Sequence, residues 1–95
     1  MASFPYRVTI SPNVISQEVL LGETVLMNVE TLAYFGLDEL GSKIWRELSS
    51  CNDAQEAFDR VSKDSGVDGE KLAATFNGIL RGLEMSKIIS LENRG

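Results

Sequence analysis

The chain has 95 residues, 43% of them hydrophobic, and a formal net charge of −5. This length supports one domain with a single modest core. It contains no histidine and one cysteine, Cys51, which excludes His-ligated metal sites, Cys–His catalysis and an internal disulfide. The acidic balance disfavours nucleic-acid binding, because that binding depends on neutralising phosphates with lysine and arginine.

The N-terminal segment predicts little regular structure. Pro5 and Pro12 flank the short apolar alternation YRVTI, so residues 1–13 are expected to form a flexible arm that is at most extended. The segment lacks the basic and then apolar order of a signal peptide. No apolar run in the chain reaches the length that crosses a bilayer. We therefore expect a cytoplasmic protein with no membrane partner.

Three strands are predicted next. Residues 14–21 (VISQEVLL) are rich in β-branched side chains, and residues 24–29 (TVLMNV) and 32–37 (LAYFGL) alternate between two faces. Short turns at residues 22–23 and 30–31 join them. Because sequential strands with short connections form a meander, the third predicted strand is expected at the outside of the sheet.

Three helices follow the strands. Asp38 is a suitable N-cap for the first helix. Asp53 opens the second with the capping-box pattern DAQE, and Gly66 ends it. Asp68 begins the third, which runs to about Ser86, and IISL adds a short terminal strand. Strands and helices segregated along the chain define an α+β fold.

The third predicted strand has an unprotected edge. Natural edge strands usually carry lysine, proline or a bulge that prevents further pairing, whereas residues 32–37 contain neither Lys nor Pro. Two interpretations stay open. The edge is covered by the helices or the N-terminal arm, or it accepts an extended peptide as a further strand.

The third predicted helix carries small residues beside its apolar stripe. Thr75, Gly78 and Gly82 lie on this flank when successive residues advance by about 100°. Glycine inside a helix costs roughly 1 kcal/mol relative to alanine, so a compensating role is expected. The small residues allow either close packing against another helix or a shallow groove for a ligand backbone. The two alternatives predict different burial of Gly78 and Gly82.

The segment ETVLMNVETLAYFGLDELGSKIW (residues 23–45) resembles the PqqD family, also called RiPP recognition elements. The matching positions are Glu30-Thr31, Tyr34-Phe35-Gly36-Leu37, Asp38, Gly41, Ile44 and Trp45. The downstream segment DAQEAFDRVSKDSGVDGEKL fits the second helix of the family and the entry to its third. The resemblance defines a domain over residues 14–91, leaving residues 92–95 as a tail. Leu32 and Lys87 depart from the family, because glycine is common at both places.

The resemblance implies a winged-helix-like fold, with a three-stranded antiparallel sheet packed on three helices, and no catalysis, cofactor or metal. Family members bind the leader segment of a ribosomally made precursor peptide, which adds to the third strand and lies beside the third helix. Main-chain hydrogen bonds from Ala33, Tyr34 and Phe35 would hold the leader. The full implied site is Leu32, Ala33, Tyr34, Phe35 and Gly36 on the strand, with Leu72, Thr75, Phe76, Gly78 and Ile79 on the helix.

The implied function is to present the leader to a leader peptidase or another modifying enzyme. The segment YFGLDELGSKIW looks closer to stand-alone members of lasso-peptide pathways, so that setting is favoured. The alternative is the pyrroloquinoline quinone pathway with a radical SAM enzyme. A remoter alternative is a winged-helix DNA-binding protein that reads DNA with its third helix. In that helix Lys71 and Arg81 are balanced by Glu70 and Glu84, so we expect no nucleic-acid partner.

Overall fold

The computed structural model describes residues 3–94. The strands are β1 (Tyr6–Ile10), β2 (Val14–Glu18), β3 (Thr24–Asn28), β4 (Ala33–Leu37) and β5 (Ile89–Asn93), and the helices are α1 (Glu39–Cys51), α2 (Ala54–Ser65) and α3 (Gly69–Met85). A short 3-10 turn, Leu20–Gly22, joins β2 to β3. Strands β2, β3 and β4 form a three-stranded antiparallel sheet in that order. The predicted α+β fold, with this sheet followed by three helices, is confirmed.

Side-chain caps explain where the first two helices begin. Asp38 Oδ1 accepts a hydrogen bond from Gly41 N at 2.7 Å, and Asp53 Oδ1 accepts one from Glu56 N at 2.9 Å. Each bond satisfies an amide that has no partner within the helix. Gly66 ends α2 with a φ of 67°, a left-handed conformation that glycine adopts without steric cost. The predicted caps of α1 and α2 are therefore confirmed.

The core lies between the inner face of the three-stranded sheet and the helices. An aromatic cluster of Phe4, Phe58 and Phe76 occupies part of it, with ring centroids separated by 5.0, 4.8 and 5.4 Å. Fully burying one such apolar side chain contributes roughly 1.5–3 kcal/mol. The largest fully buried side chains are Phe76, Leu26, Ile44, Leu48, Leu72, Leu80, Leu83, Ile88 and Val8.

The N-terminal segment differs from the flexible arm that was predicted. Residues Tyr6–Ile10 pair antiparallel with Ile89–Asn93, and Phe4 and Val8 are buried. The prolines at positions 5 and 12 flank this strand, so they remove no hydrogen bond from its ladder. Its partner lies at the other end of the chain, which local alternation cannot reveal. The predicted tail likewise begins inside β5, and residues 1, 2 and 95 lie outside the described residues.

Candidate functional site

The three-stranded sheet ends in two edge strands, β2 and β4, and hydrogen bonds at the ends of β3 show which way its main chain points. Val19 N donates to Glu23 O, and Val29 N donates to Asn13 O, both at 2.8 Å. The odd-numbered residues along β3 therefore pair with β2. Because main-chain groups alternate between the two sides of a strand, the even-numbered residues of β3 pair with β4.

The register then assigns the main-chain groups of β4. Leu26 of β3 lies opposite Phe35, so Phe35 and its odd-numbered neighbours in β4 bond with β3. Tyr34 and Gly36 consequently direct their N–H and C=O groups to the outer edge. Both residues are exposed, and no other strand formed by residues 3–94 pairs with β4. This edge is open to a further strand.

The flank of α3 that carries Thr75, Gly78 and Gly82 meets β4 at Gly82. A Cβ atom added to Gly82 would lie 2.6 Å from Cζ of Phe35, so the phenyl ring fills the space that this glycine leaves. Gly78, one turn earlier, is exposed and has no atom within 4 Å of where its Cβ would be. Gly82 thus serves close packing against a strand, where another helix was the predicted alternative. Gly78 borders open space.

A buried asparagine fastens the β3–β4 turn to the end of α3. Asn28 Nδ2 donates to Lys87 O at 2.8 Å. Asn28 Oδ1 accepts from Glu30 N at 2.9 Å and from Thr31 N at 3.1 Å, and Leu32 N donates to Asn28 O at 2.7 Å. These bonds hold the turn before β4 beside the C-terminal end of α3.

The two residues that depart from the family's glycines keep a left-handed backbone. The φ angles of Leu32 and Lys87 are 64° and 58°. At Lys87 this conformation completes a Schellman motif, in which Ile88 N donates to Leu83 O at 2.9 Å and Lys87 N donates to Glu84 O at 3.1 Å. The turn and the helix end therefore have the geometry that glycine would favour, although glycine is absent from both.

The residues predicted for the helix side of the site divide into two groups. Leu72 and Phe76 are each 0% exposed and belong to the core. Thr75 and Gly78 are exposed and Ile79 is half-buried. The helical surface that a ligand can reach in this structure therefore comes from the second group and not from Leu72 or Phe76.

The residues predicted for the strand side also divide. Tyr34 directs its main-chain groups outward, as expected of a residue that holds a peptide, whereas the groups of Ala33 and Phe35 are directed to β3. Gly36 is the second outward-facing residue. Leu32 lies in the turn before β4 and is 66% exposed.

Two residues that position β4 against α3 were not among the predicted site residues. Gly82 accommodates the Phe35 ring, and its four-residue spacing from Gly78 was the available signal. Asn28 was assigned only to one face of a strand. An asparagine at the end of a strand, two residues before a turn, is a recognisable Asx-turn pattern, so it could have been identified from the sequence.

The candidates for reactive chemistry among the described residues are Cys51 and the acidic side chains. Within residues 3–94 no group of three or more His, Cys, Asp or Glu side chains could hold a metal ion. Cys51 Sγ lies 3.1 Å from Glu47 O, and burial raises the pKa of this thiol above its ordinary value. A raised pKa favours the protonated thiol, which is the less nucleophilic form. None of the helices in this range is both long and apolar enough to cross a membrane.

These elements define the class of protein: it is an α+β domain with an open strand edge beside an exposed helix flank. The chain belongs to the PqqD family, because residues 23–89 match the family described as Coenzyme PQQ synthesis protein D (PqqD). This confirms the resemblance seen in the sequence. Among solved structures, TbiB1 in complex with the TbiA(beta) leader peptide is 31% identical with a TM-score of 0.73, and the match covers 85% of this chain and 93% of that chain. No curated protein matched.

Proposed function

We propose that this protein is a non-catalytic binding protein that captures the leader segment of a ribosomally synthesised precursor peptide. It presents that leader to a modifying enzyme or a leader peptidase. Membership of the PqqD family and the similarity to TbiB1, whose structure contains a leader peptide, support this proposal. The structural observation that carries it is the pair of outward-facing residues, Tyr34 and Gly36, beside the exposed flank of α3.

In this proposal the leader adds to β4 as an antiparallel strand and lies along the exposed flank of α3. The opposite edge strand, β2, is less suited to this role. It carries the charged residue Glu18, which protects an edge, and Val14 N is already bonded to Ser11 O at 3.3 Å. Only β4 adds the apolar ring of Phe35 and the open space at Gly78.

Two kinds of interaction would set the affinity. Each main-chain hydrogen bond to the leader contributes about 0.5–1.5 kcal/mol net, because water competes for the same groups. These bonds carry little sequence information. Each apolar leader side chain buried between Phe35 and Ile79 contributes roughly 1.5–3 kcal/mol. With about two or three such side chains, less the cost of ordering a flexible peptide, the dissociation constant is expected to be micromolar or somewhat lower.

The proposed setting is a lasso-peptide pathway, on the resemblance of YFGLDELGSKIW to stand-alone leader-binding proteins. The alternative is pyrroloquinoline quinone biosynthesis with a radical SAM enzyme. The neighbouring genes distinguish the two, since one setting requires a leader peptidase and a cyclase and the other a radical SAM enzyme. The proposal includes the cytoplasmic location predicted from the sequence, because ribosomes make the precursor in that compartment.

A winged-helix DNA-binding function has less support. The reading helix of such a protein needs free cationic side chains to contact phosphates and bases. In α3, Arg81 lies 3.5 Å from Glu84 and 5.9 Å from the ring centre of Tyr6. The chain as a whole carries a net charge of −5. We therefore retain the expectation of no nucleic-acid partner.

The experiment that tests strand addition compares two proline variants, one on each edge of the sheet. Tyr34→Pro removes an outward-facing amide from β4, and Ser16→Pro removes one from β2. Both should fold, because proline is tolerated where the amide of an edge strand faces solvent. In titrations with the leader of the precursor encoded beside the gene, Tyr34→Pro should bind about tenfold more weakly or worse. Ser16→Pro should bind like the wild type.

Equal leader affinity in wild type and a folded Tyr34→Pro variant would overturn strand addition to β4. Circular dichroism and urea unfolding establish that both variants are folded. In the wild type, NMR spectra recorded during the titration should show the amides of Tyr34 and Gly36 gaining protection from exchange on leader binding. Loss of leader binding in both proline variants would also contradict the proposal, because the β2 edge would then be required.

A further inference from the structure

The face of the three-stranded sheet that points away from the helices, called here the outer face, is largely apolar. It consists of Ile15, Gln17, Val19, Val25, Met27 and Tyr34. Ile15 and Tyr34 are 55% and 69% exposed, and both flank Met27 in the register of the sheet. Grouped apolar side chains of this kind on a small domain mark an interaction surface.

The charged residues of the segment that forms the three-stranded sheet are all negative. The segment from residue 13 to residue 38 forms the three-stranded sheet, its connections and the N-cap of α1. It contains Glu18, Glu23, Glu30 and Asp38 but no lysine, arginine or histidine. These four residues are exposed, and among residues 3–94 none of them forms an ion pair. This segment therefore carries a charge of −4, against −5 for the whole chain.

This charge distribution favours some binding partners of the outer face over others. A second copy of the chain, docked through the same face, would bring two acidic segments together, and like charges across an interface oppose association. An anionic lipid surface would repel the same segment. A protein whose apolar patch is bordered by lysine and arginine would instead complement both the apolar side chains of the outer face and the negative charge of the segment that forms it.

We propose that the outer face is the docking surface for a second protein that presents an apolar patch bordered by basic residues. Tyr34 connects this surface to the peptide site, because its side chain lies on the outer face and its main-chain groups lie on the open edge. A protein docked here would lie next to a strand added to β4. The inference rests on the proposed function in identifying the partner as the enzyme that acts on the bound leader.

The test uses the purified leader-processing enzyme encoded beside this gene, with the leader peptide present at saturation. Ile15→Ser removes an exposed apolar side chain, and Glu23→Lys reverses one charge in the connection between β2 and β3. Asp64→Lys is the matched control, because it makes the same charge change on an exposed position of α2. Isothermal titration should show enzyme affinity about five- to tenfold weaker in each outer-face variant and unchanged in the control.

Leader affinity, measured separately, should be the same in all three variants, and this separates the inference from the proposed function. If the wild type binds no leader, the proposed function fails and the docking inference fails with it. If leader binding is normal but enzyme affinity is unchanged by Ile15→Ser and Glu23→Lys, only the docking inference is overturned. It is also overturned if Ile15→Ser weakens leader binding, or abolishes a dimer of the wild type detected by sedimentation.

Discussion

At the scale of single residues, Asn28 connects the turn, the sheet and the last helix. Its side chain donates to Lys87 O at 2.8 Å and accepts from Glu30 N and Thr31 N, while its own exposed fraction is only 3%. A buried polar group is tolerated when each of its hydrogen-bonding atoms has a partner. Here those partners belong to two segments that are distant in sequence, so one side chain sets the position of β4 relative to α3.

We predict that Asn28→Ala lowers the free energy of unfolding by about 2–3 kcal/mol, because it leaves the Lys87 carbonyl and the amides of Glu30 and Thr31 without these partners. Urea unfolding measures this loss. Asn13→Ala is the matched control, since Asn13 Nδ2 makes one exposed hydrogen bond, to Glu30 Oε2 at 3.2 Å, and its removal should cost less than about 0.5 kcal/mol. Similar losses in the two variants would contradict the role given to Asn28.

Residue identity alone did not determine the backbone conformation at Leu32 and Lys87. Glycine is usual where φ is positive, and another L-residue pays roughly 1–2 kcal/mol to adopt that conformation. In this chain both positions have positive φ, because the surrounding hydrogen bonds to Asn28 and from the Schellman motif require it. The cost is therefore offset by tertiary contacts that a sequence pattern does not contain.

At the scale of elements, the two glycines of α3 have different roles although they are one turn apart. The Phe35 ring lies against Gly82, whereas Gly78 is open to solvent. Gly78→Ala should therefore raise the free energy of unfolding by about 0.5–1 kcal/mol, the usual gain in helix propensity. The added methyl group would narrow the open space beside this flank of α3, so leader affinity should fall at least about threefold.

The matched control for Gly78→Ala is Asn77→Ala. Asn77 is the exposed residue directly before Gly78, and its side chain points about 100° away around the helix. Alanine at this position also improves helix propensity. This variant should be stabilised without any change in leader affinity. Urea unfolding and leader titration of both proteins provide the comparison. A stabilised Gly78→Ala protein with wild-type affinity would show that the leader does not approach this flank.

Elements with local signals were predicted correctly from the sequence, and elements that depend on distant partners were not. The caps at Asp38 and Asp53 are local hydrogen bonds, so the residue types identify them. The open edge of β4 followed from short turns. The complete burial of Leu72 and Phe76, both assigned to the site, did not follow, since a stripe of apolar residues does not reveal how deeply each lies. Knowing which residues of β4 direct their main-chain groups outward required the register of the strands.

At the scale of the whole molecule, the two ends of the chain meet and complete the core. Arg94 N donates to Pro5 O at 2.9 Å, Ser11 N donates to Ile88 O at 2.9 Å, and Arg94 Nη1 lies 2.7 Å from Asp53 Oδ2. The ribbon of β1 and β5 is thus held to the α1–α2 connection. It leaves the outer face and the β4 edge of the other sheet uncovered, so the surfaces proposed for binding are not used to join the two ends of the chain.

If the N-terminal segment is part of the fold, removing its buried aromatic ring must destabilise the whole domain. Phe4 is 5% exposed, its ring packs against Phe58 and Phe76, and its N–H donates to Gln55 Oε1 at 2.7 Å. Truncating a buried phenylalanine costs about 3–5 kcal/mol, a large part of the roughly 5–15 kcal/mol that stabilises a typical domain. We expect Phe4→Ala to shift the urea midpoint strongly downward. Tyr34→Ala, an aromatic truncation at an exposed position, should shift the urea midpoint little. Equally small shifts in the two variants would mean that the first residues form a loose arm and are not part of the fold.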